Sequence, residues 1–476
     1  MKLWLKIAMV GAMTLAILVP LMMVRGVISE RQRYRDEAVA DIAANIGRAQ
    51  VLAGPVLVVP YTEVLVRQVQ DGAGGTRAVS ERREGHWNFF PSTLQADGKL
   101  APDVRKRGLH AVRIYEWQGE LKAAFDARIP DDAPAGSERV IGRPFLSWGI
   151  SDVRGLRGTP VIEVAGQRVR AEQGSGVSAL EMRTPPAGGN DAERAAAMAV
   201  AADSSATTTA NGPGLHVRLE PAQAGQALKF DTRLALNLAG TERFAVLPVG
   251  ASNDLRLRSA WPHPSFSGLL PRHDIRPDGF KARWQVDALA TNAQQLWTQG
   301  EWMANGSDIA QVSLLDPINP YLQADRATKY GVLFVVLTFV GFFMFELIKQ
   351  VAVHPIQYAL VGLAIAIFFL LLVSLSEHIA FGWSYVIAAV ACIGLIGFYL
   401  SAVLKSRARG MAFAGMLAML YAALYGLLVL EDNALAVGAG LLFAILAAIM
   451  VATRKVDWYE LGGTRIAPPL PRPQAD

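Results

Sequence analysis

Apolar positions in this chain gather into six unbroken runs, one near the N-terminus and five in the last third. About three hundred residues of alternating or interrupted pattern separate the first run from the second. The runs cover 7–24, 330–348, 356–375, 383–404, 411–430 and 434–452. At a helical rise of about 1.5 Å per residue, roughly 18–22 residues cross a hydrocarbon core of about 30 Å. The pattern predicts an α-helical six-span bundle, one span N-terminal and five C-terminal, with a large water-facing domain between spans one and two. Lys2 and Lys6 precede the first span, Lys349 follows the second, Lys405, Arg407 and Arg409 follow the fourth, and Arg454 and Lys455 follow the sixth. The intervening connections, 376–382 and 431–433, carry no Lys or Arg. Basic residues are retained on the cytoplasmic side during insertion, so both termini are expected in the cytoplasm and the large domain is expected outside it. Arg25, Arg31, Arg33 and Arg35 follow the first span on the other side and run against this bias. The stretch Val19-Pro20-Leu21-Met22-Met23-Val24-Arg25 has no small-residue cleavage site, which predicts a retained anchor over 1–25.

The exported domain, 51–329, reads as β-rich. Strands are expected at 56–66, 112–117, 121–127, 160–169, 215–219, 227–238, 243–249, 255–261 and 280–289, from period-two alternation or short β-branched runs. Turns are expected at Asp97-Gly98, Trp117-Gln118-Gly119, Ala165-Gly166-Gln167 and Ala239-Gly240, giving antiparallel sheets in a sandwich or barrel. Two polar, low-bulk stretches, 70–85 and 184–214, read as insertions, and the longer one allows a division of the domain into two halves. Ahead of the strands, Ala38, Val39, Ile42, Ala43 and Ile46 recur at helical spacing, so 26–50 is expected to be an amphipathic helical stalk ended by Gly54-Pro55. The stalk either packs on the β domain or lies at the lipid headgroups, drawn there by Arg31, Arg33 and Arg35. The five-span membrane domain covers 330–453, and a proline-rich cytoplasmic tail covers 454–476.

Composition adds exclusions. The net charge of +5 is accounted for by basic cytoplasmic loops and implies no nucleic acid. The single cysteine, Cys392, lies within the fourth span, so the exported domain has neither a disulfide nor thiol chemistry. No phosphate loop, nucleophile elbow, HExxH or CxxC motif occurs, and the chain reads as a non-enzyme with no cofactor and no metal. Of the seven histidines, His263 and His273, with Asp274 adjacent, could converge on a metal or stand as ordinary loop residues.

The segment Trp261-Pro262-His263-Pro264-Ser265-Phe266-Ser267-Gly268 has two prolines directly after a strand and should form a rigid corner. Trp261, His263 and Phe266 are the candidate recognition residues there, the alternative being that the corner buries them. The polar candidates at the membrane interface are Glu346, expected to pair with Lys349; His354, ahead of Pro355 at a helix start; and Glu377 with His378, a proton-sensitive or docking pair. The last three spans contain almost no ionisable side chain, and Gly394, Gly397, Gly438 and Gly440 suit close helix packing.

Six segments carry a family resemblance: Ser29-Glu30-Arg31-Gln32, Leu52-Ala53-Gly54-Pro55-Val56-Leu57-Val58-Val59-Pro60-Tyr61, Ile150-Ser151-Asp152-Val153-Arg154-Gly155-Leu156, Ser259-Ala260 running into the Trp261 corner, His354-Pro355-Ile356-Gln357-Tyr358-Ala359-Leu360, and Leu371-Leu372-Val373-Ser374-Leu375-Ser376-Glu377-His378. In order and content they resemble the CreD family of bacterial inner-membrane proteins. That resemblance implies a multi-pass inner-membrane location and a part in cell-envelope integrity or envelope stress. Family members are under two-component control in some bacteria and are associated with colicin tolerance and β-lactam response. No catalytic mechanism comes with the resemblance. The expectation is a protein whose partners are the lipid bilayer and an envelope protein or cell-wall ligand, acting by binding or scaffolding. The alternative is a transporter or channel for a small envelope-related molecule.

Overall fold

The computed structural model describes residues 3–70, 76–108, 110–134, 137–177, 212–302, 306–314, 320–349, 353–429 and 434–454. It divides into two compact units, Asp36–Pro317 and Met1–Arg35 with Ile318–Asp476. Helix α1 (Leu3–Ile46) supplies residues to both.

The unit Asp36–Pro317 is built from two sheets. In chain order the strands are β1 (Gln50–Gln70), β2 (Thr76–Phe89), β3 (Thr93–Arg107), β4 (His110–Arg128), β5 (Ser137–Ile141), β6 (Phe145–Ile150), β7 (Leu156–Val164), β8 (Gln167–Val169) and β9 (Glu172–Gln173). After the insert come β10 (Gly214–Arg218), β11 (Ala227–Thr241), β12 (Arg243–Leu247), β13 (Ser252–Ser259), β14 (Ser265–Gly268), β15 (Arg272–Arg276), β16 (Gly279–Asp287), the short helix α2 (Ala293–Thr298) and β17 (Ala310–Ser313). The first sheet runs β14-β17-β12-β1-β6-β10-β9, with β2 and β5 added to the far end of β1. The second runs β15-β16-β13-β3-β4-β11-β7-β8.

Alternation explains how the sheets meet. Along β3 and β13 every second residue is buried, so Leu94, Ala96, Leu100, Leu255 and Leu257 face inward while charged residues face out. They share one core with Leu52, Val56, Leu146, Trp148 and Phe244 of the first sheet. Trp117 stacks on Phe244 across the two sheets at 5.2 Å between ring centroids.

The β-rich expectation holds, with local corrections. Asp97-Gly98, Trp117-Gln118-Gly119 and Ala239-Gly240 are not turns but lie inside β3, β4 and β11. Gly98 and Gly119 face each other across the β3–β4 ladder. A Cβ on either would lie within 2.4 Å of the Trp117 indole, so these glycines make room for a ring rather than reverse the chain. Ala165-Gly166 is a turn, with both residues at positive φ. The expected insertion at 70–85 is, from Thr76 onward, strand β2, which continues the ladder along β1. Gly54-Pro55 does not end a helix: α1 stops at Ile46, and Gly54 sits within β1 where the register with β6 shifts. The expected insertion at 184–214 lies outside the described residues as far as 211. Each sheet takes strands from both sides of it, so the two layers are not the two sequence halves.

Residues 36–46 of α1 pack against the outer face of the second sheet. Ile42, with Val39 and Ile46 beside it, covers Val112 and Ile114 of β4, and Asp41 pairs with Arg107 at 2.7 Å.

The second unit is helical: the first part of α1, α3 (Pro320–Lys349), α4 (Pro355–Ser376), α5 (Phe381–Val403), α6 (Arg407–Val429) and α7 (Ala434–Thr453). Among the described residues five helices, α1 and α3 to α6, are long and apolar enough to cross a membrane. The apolar part of α7 that is described, Gly438–Ala447, is shorter. Ile17, Leu21, Val24 and Ile28 place one buried stripe on α1. Close approach between helices also uses glycines beyond those expected: a Cβ on Gly362 would meet Ile17 at 2.6 Å, and one on Gly410 would meet Ser401 at 2.8 Å. Of the four expected, Gly397 packs against Ala414 and Gly438 against Leu427, whereas Gly394 and Gly440 face open space.

Candidate functional site

Polar side chains converge at four places, two in each unit. The most connected is where α1 gives way to β1. Gly47 ends the helix at φ 135°, a conformation that side chains disfavour, and Gln50 follows in β1 at 1% exposure. The Gln50 amide nitrogen donates to the carbonyls of Asp152 and Ala239, both at 3.0 Å. Its oxygen accepts from the Asp152 backbone N–H and the Ser151 hydroxyl, each at 3.3 Å. The Asp152 carboxylate accepts from the Arg48 N–H at 3.1 Å and from Arg154 Nη2 at 2.6 Å and Nε at 2.8 Å. Burial pushes the Asp152 carboxyl up, but the hydrogen bonds from Arg154 and Arg48 outweigh it and hold the group below the usual carboxylate range. Arg154 also donates to the Ala44 carbonyl and Arg157 to that of Ile46, which satisfies the open end of α1. A Cβ on Gly155 would meet the Ala239 carbonyl oxygen at 2.2 Å. The segment Ile150 to Leu156 therefore joins the helix end to both sheets. These residues had no role legible in the sequence, because apart from the Asp152–Arg154 pair their partners lie a hundred residues or more away.

The corner after β13 carries the chain from the second sheet to the first. Trp261 is half-buried: its indole N–H donates to the His263 carbonyl at 2.8 Å, and the Arg113 guanidinium lies 3.6 Å from its ring centroid. Phe266, on edge strand β14, packs among His273, Phe280 and Trp284 at 5.1–5.9 Å. His263 is exposed and contacts Trp261, whereas His273 lies against Phe266, so the two histidines belong to different ring contacts. No group of three or more His, Cys, Asp or Glu suited to a metal is present among the described residues.

In the helical unit, Arg25 pairs with Asp325 at 3.2 Å, and Lys329 joins the same carboxylate at 2.8 Å. Arg31 lies 3.7 Å from Glu377, which also accepts from the Tyr321 hydroxyl at 3.2 Å. Arg25 and Arg31, which run against the charge bias of the loops, thus have acidic partners on α3 and at the end of α4. Glu377 turns to these groups while His378 is exposed beside it. At the other end of α3, Glu346 is 5% exposed and accepts from the Tyr358 hydroxyl at 2.8 Å and from the Val353 N–H at 3.4 Å. The side chain of Lys349, its expected partner, lies outside the described residues. His354 caps α4: its ring accepts from the Ile356 N–H and its own N–H donates to Gln357, with Pro355 in the first turn.

The sequence profile described as "Inner membrane protein CreD" matches residues 2–459. The chain belongs to the CreD family. It is also 34% identical to "Inner membrane protein CreD" of Escherichia coli (strain K12) over 466 residues, 96% of this chain and 93% of the relative. Five of the six segments that resemble CreD proteins coincide with the polar sites above: Arg31, Asp152, Trp261, His354 and Glu377 each lie in one. In this CreD chain those segments hold the helix end, the sheet corner and the helix caps.

Proposed function

We propose that this CreD protein supports the bacterial cell envelope by binding or scaffolding, with its β unit in the periplasm presenting a surface to an envelope protein or cell-wall ligand. It crosses the inner membrane six times, with both termini in the cytoplasm, and it performs no catalysis. The observation that carries the reading is the interior of the helical unit. Phe334, Phe339, Phe342, Phe368, Phe369 and Tyr421 are each at most 3% exposed, and Tyr421 holds Phe334 and Phe368 edge-on at 4.5 and 4.7 Å. Interlocked rings suit an anchor, whereas a coupled transporter places charged groups or broken helices near the midplane. The orientation draws support from the basic connections and from the acidic partners of Arg25 and Arg31. A transport reading has one observation in its favour, the buried acid Glu346.

The test is photocrosslinking in living cells from positions on the exposed face of the second sheet, followed by identification of what is captured. Recovery of a specific envelope component supports the proposal. Specific solute uptake by vesicles containing the purified protein, with no envelope component captured, overturns it. Reporter fusions after residues 150 and 454 test the orientation, and periplasmic activity at the second or cytoplasmic activity at the first refutes it.

A further inference from the structure

The outer face of the second sheet is charged, and most of its charges neutralise one another. Asp254 takes Arg283 at 2.7 Å and Arg256 at 2.6 Å, Glu120 takes Lys122 and Arg233 at 2.7 Å each, and Lys229 meets Asp126 at 3.0 Å. Hydrogen bonds from Arg283, followed by the opposing effect of burial and then Arg256, leave the Asp254 carboxyl below its usual range. In the row through Arg258 three cations stand side by side, with Asp274 of β15 opposite the last of them. Register places Lys99 of β3 beside Arg258 of β13, and Arg258 beside Lys281 of β16, with all three side chains on the exposed face. Like charges directly opposite across neighbouring strands disfavour the sheet. Arg258 is drawn diagonally to Asp97 at 2.9 Å, and neither Lys99 nor Lys281 has an ion pair among the described residues.

The row opens into a concavity of about 450 Å³ at the turn between β15 and β16. Lys99, Arg258, Arg276 and Lys281 line it, against the carboxylates Asp274 and Asp278. Asp274 is engaged by Arg276 at 2.8 Å. Adjacent strands lie about 4.8 Å apart, so cations on three consecutive strands are spaced to meet an anion with two charged centres better than a single carboxylate.

We propose that this row is a binding site for a small diphosphate-bearing molecule, held between Lys99 and Lys281 over Arg258. The inference rests on the binding reading above and gives it a ligand class. Concavity favours a small ligand over a flat lipid surface, and the excess of cations in the lining favours an anion.

The experiment uses the full-length protein in nanodiscs of zwitterionic lipid and titrates inorganic diphosphate by calorimetry, with chloride at matched ionic strength as the control. The expected result is saturable one-to-one binding that weakens with salt. The double variant Lys99→Gln/Lys281→Gln should weaken it at least tenfold, while Asp278→Asn tightens it. The unliganded double variant should unfold no earlier than the unsubstituted protein, because it relieves a like-charge row, so lost binding will not reflect lost folding. Absence of saturable binding, or equal affinity in the double variant, overturns the proposal. Binding to vesicles of anionic lipid that diphosphate does not compete away also overturns it and assigns the row to a membrane surface. A captured envelope protein together with a failed diphosphate titration would leave the broader scaffold reading standing and remove only this ligand.

Discussion

Replacing Gly155 with alanine tests whether the junction of α1 and β1 holds the β unit together. The added Cβ would lie 2.2 Å from the Ala239 carbonyl oxygen and 2.4 Å from Gln50 Nε2. The first contact is with strand backbone near the end of β11, which is held by its ladder and cannot swing away, and forced overpacking of this kind costs about 1–3 kcal/mol. The second displaces the Gln50 side chain, whose four buried hydrogen bonds to Asp152, Ser151 and Ala239 would be broken or bent. Leaving such groups unsatisfied adds about 1–3 kcal/mol. The expected destabilisation is about 3–5 kcal/mol, which for a domain of this size lowers the unfolding midpoint by about 5–8 °C. Gly158 provides the control, because it has φ 71° and nothing within 4 Å of an added Cβ, so Gly158→Ala meets backbone strain alone, about 1–2 kcal/mol. Thermal unfolding of the purified full-length protein, followed by tryptophan emission, measures both. Equal midpoints for the two variants would refute the argument, as would a Gly155→Ala protein that unfolds with the native one.

Other expectations follow from the same contacts. Asp152→Asn should destabilise the protein by about 2 kcal/mol at neutral pH, where a mostly buried carboxylate loses charge-assisted bonds. Because the native carboxyl sits below its unfolded value, its contribution is present above about pH 4 and lost as pH falls through the folded value, so the two proteins should converge in acid denaturation. Phe266→Ala should cost about 2–3 kcal/mol by emptying the space among His273, Phe280 and Trp284, while Trp261→Ala should cost about 1–2 kcal/mol through the lost Arg113 contact. A fold unchanged in midpoint but failing to complement a deletion strain would instead make the corner a recognition surface. Glu377→Gln should loosen α1 from α4, seen as faster hydrogen exchange around Tyr321 and Arg31, and unchanged exchange would show that the pair does nothing for the bundle.

Hydrophobic periodicity made the architecture readable and left the contacts unread. Runs of apolar residues announce spans because the bilayer demands length, and the helices found begin within a turn or so of the expected runs, except that α3 starts at Pro320, ten residues before its apolar run. Strand alternation announced the β character, but glycine misled at Gly98, Gly119 and Gly240. There the missing Cβ accommodates Trp117 or Tyr115 within a strand rather than a reversal of the chain. The prolines around His263 gave the corner correctly because they act on the backbone itself. The long-range partners of Arg31, Gln50 and Asp152 were invisible, since each is set by which distant strands or helices come to lie side by side. The charged row at Lys99, Arg258 and Lys281 was hidden for the same reason: register alone brings it together.

The interleaving of the two sheets bears on how the chain is made. β1 pairs in parallel with β12, and β3 with β13, so strands emitted early from the ribosome find these neighbours only after most of the unit has followed. Such long-range pairing implies slow acquisition of structure and a long interval in which strand edges stand open to wrong partners. Helix α1, complete well before any sheet can close, is already in place to cover Val112 and Ile114 when β4 is made.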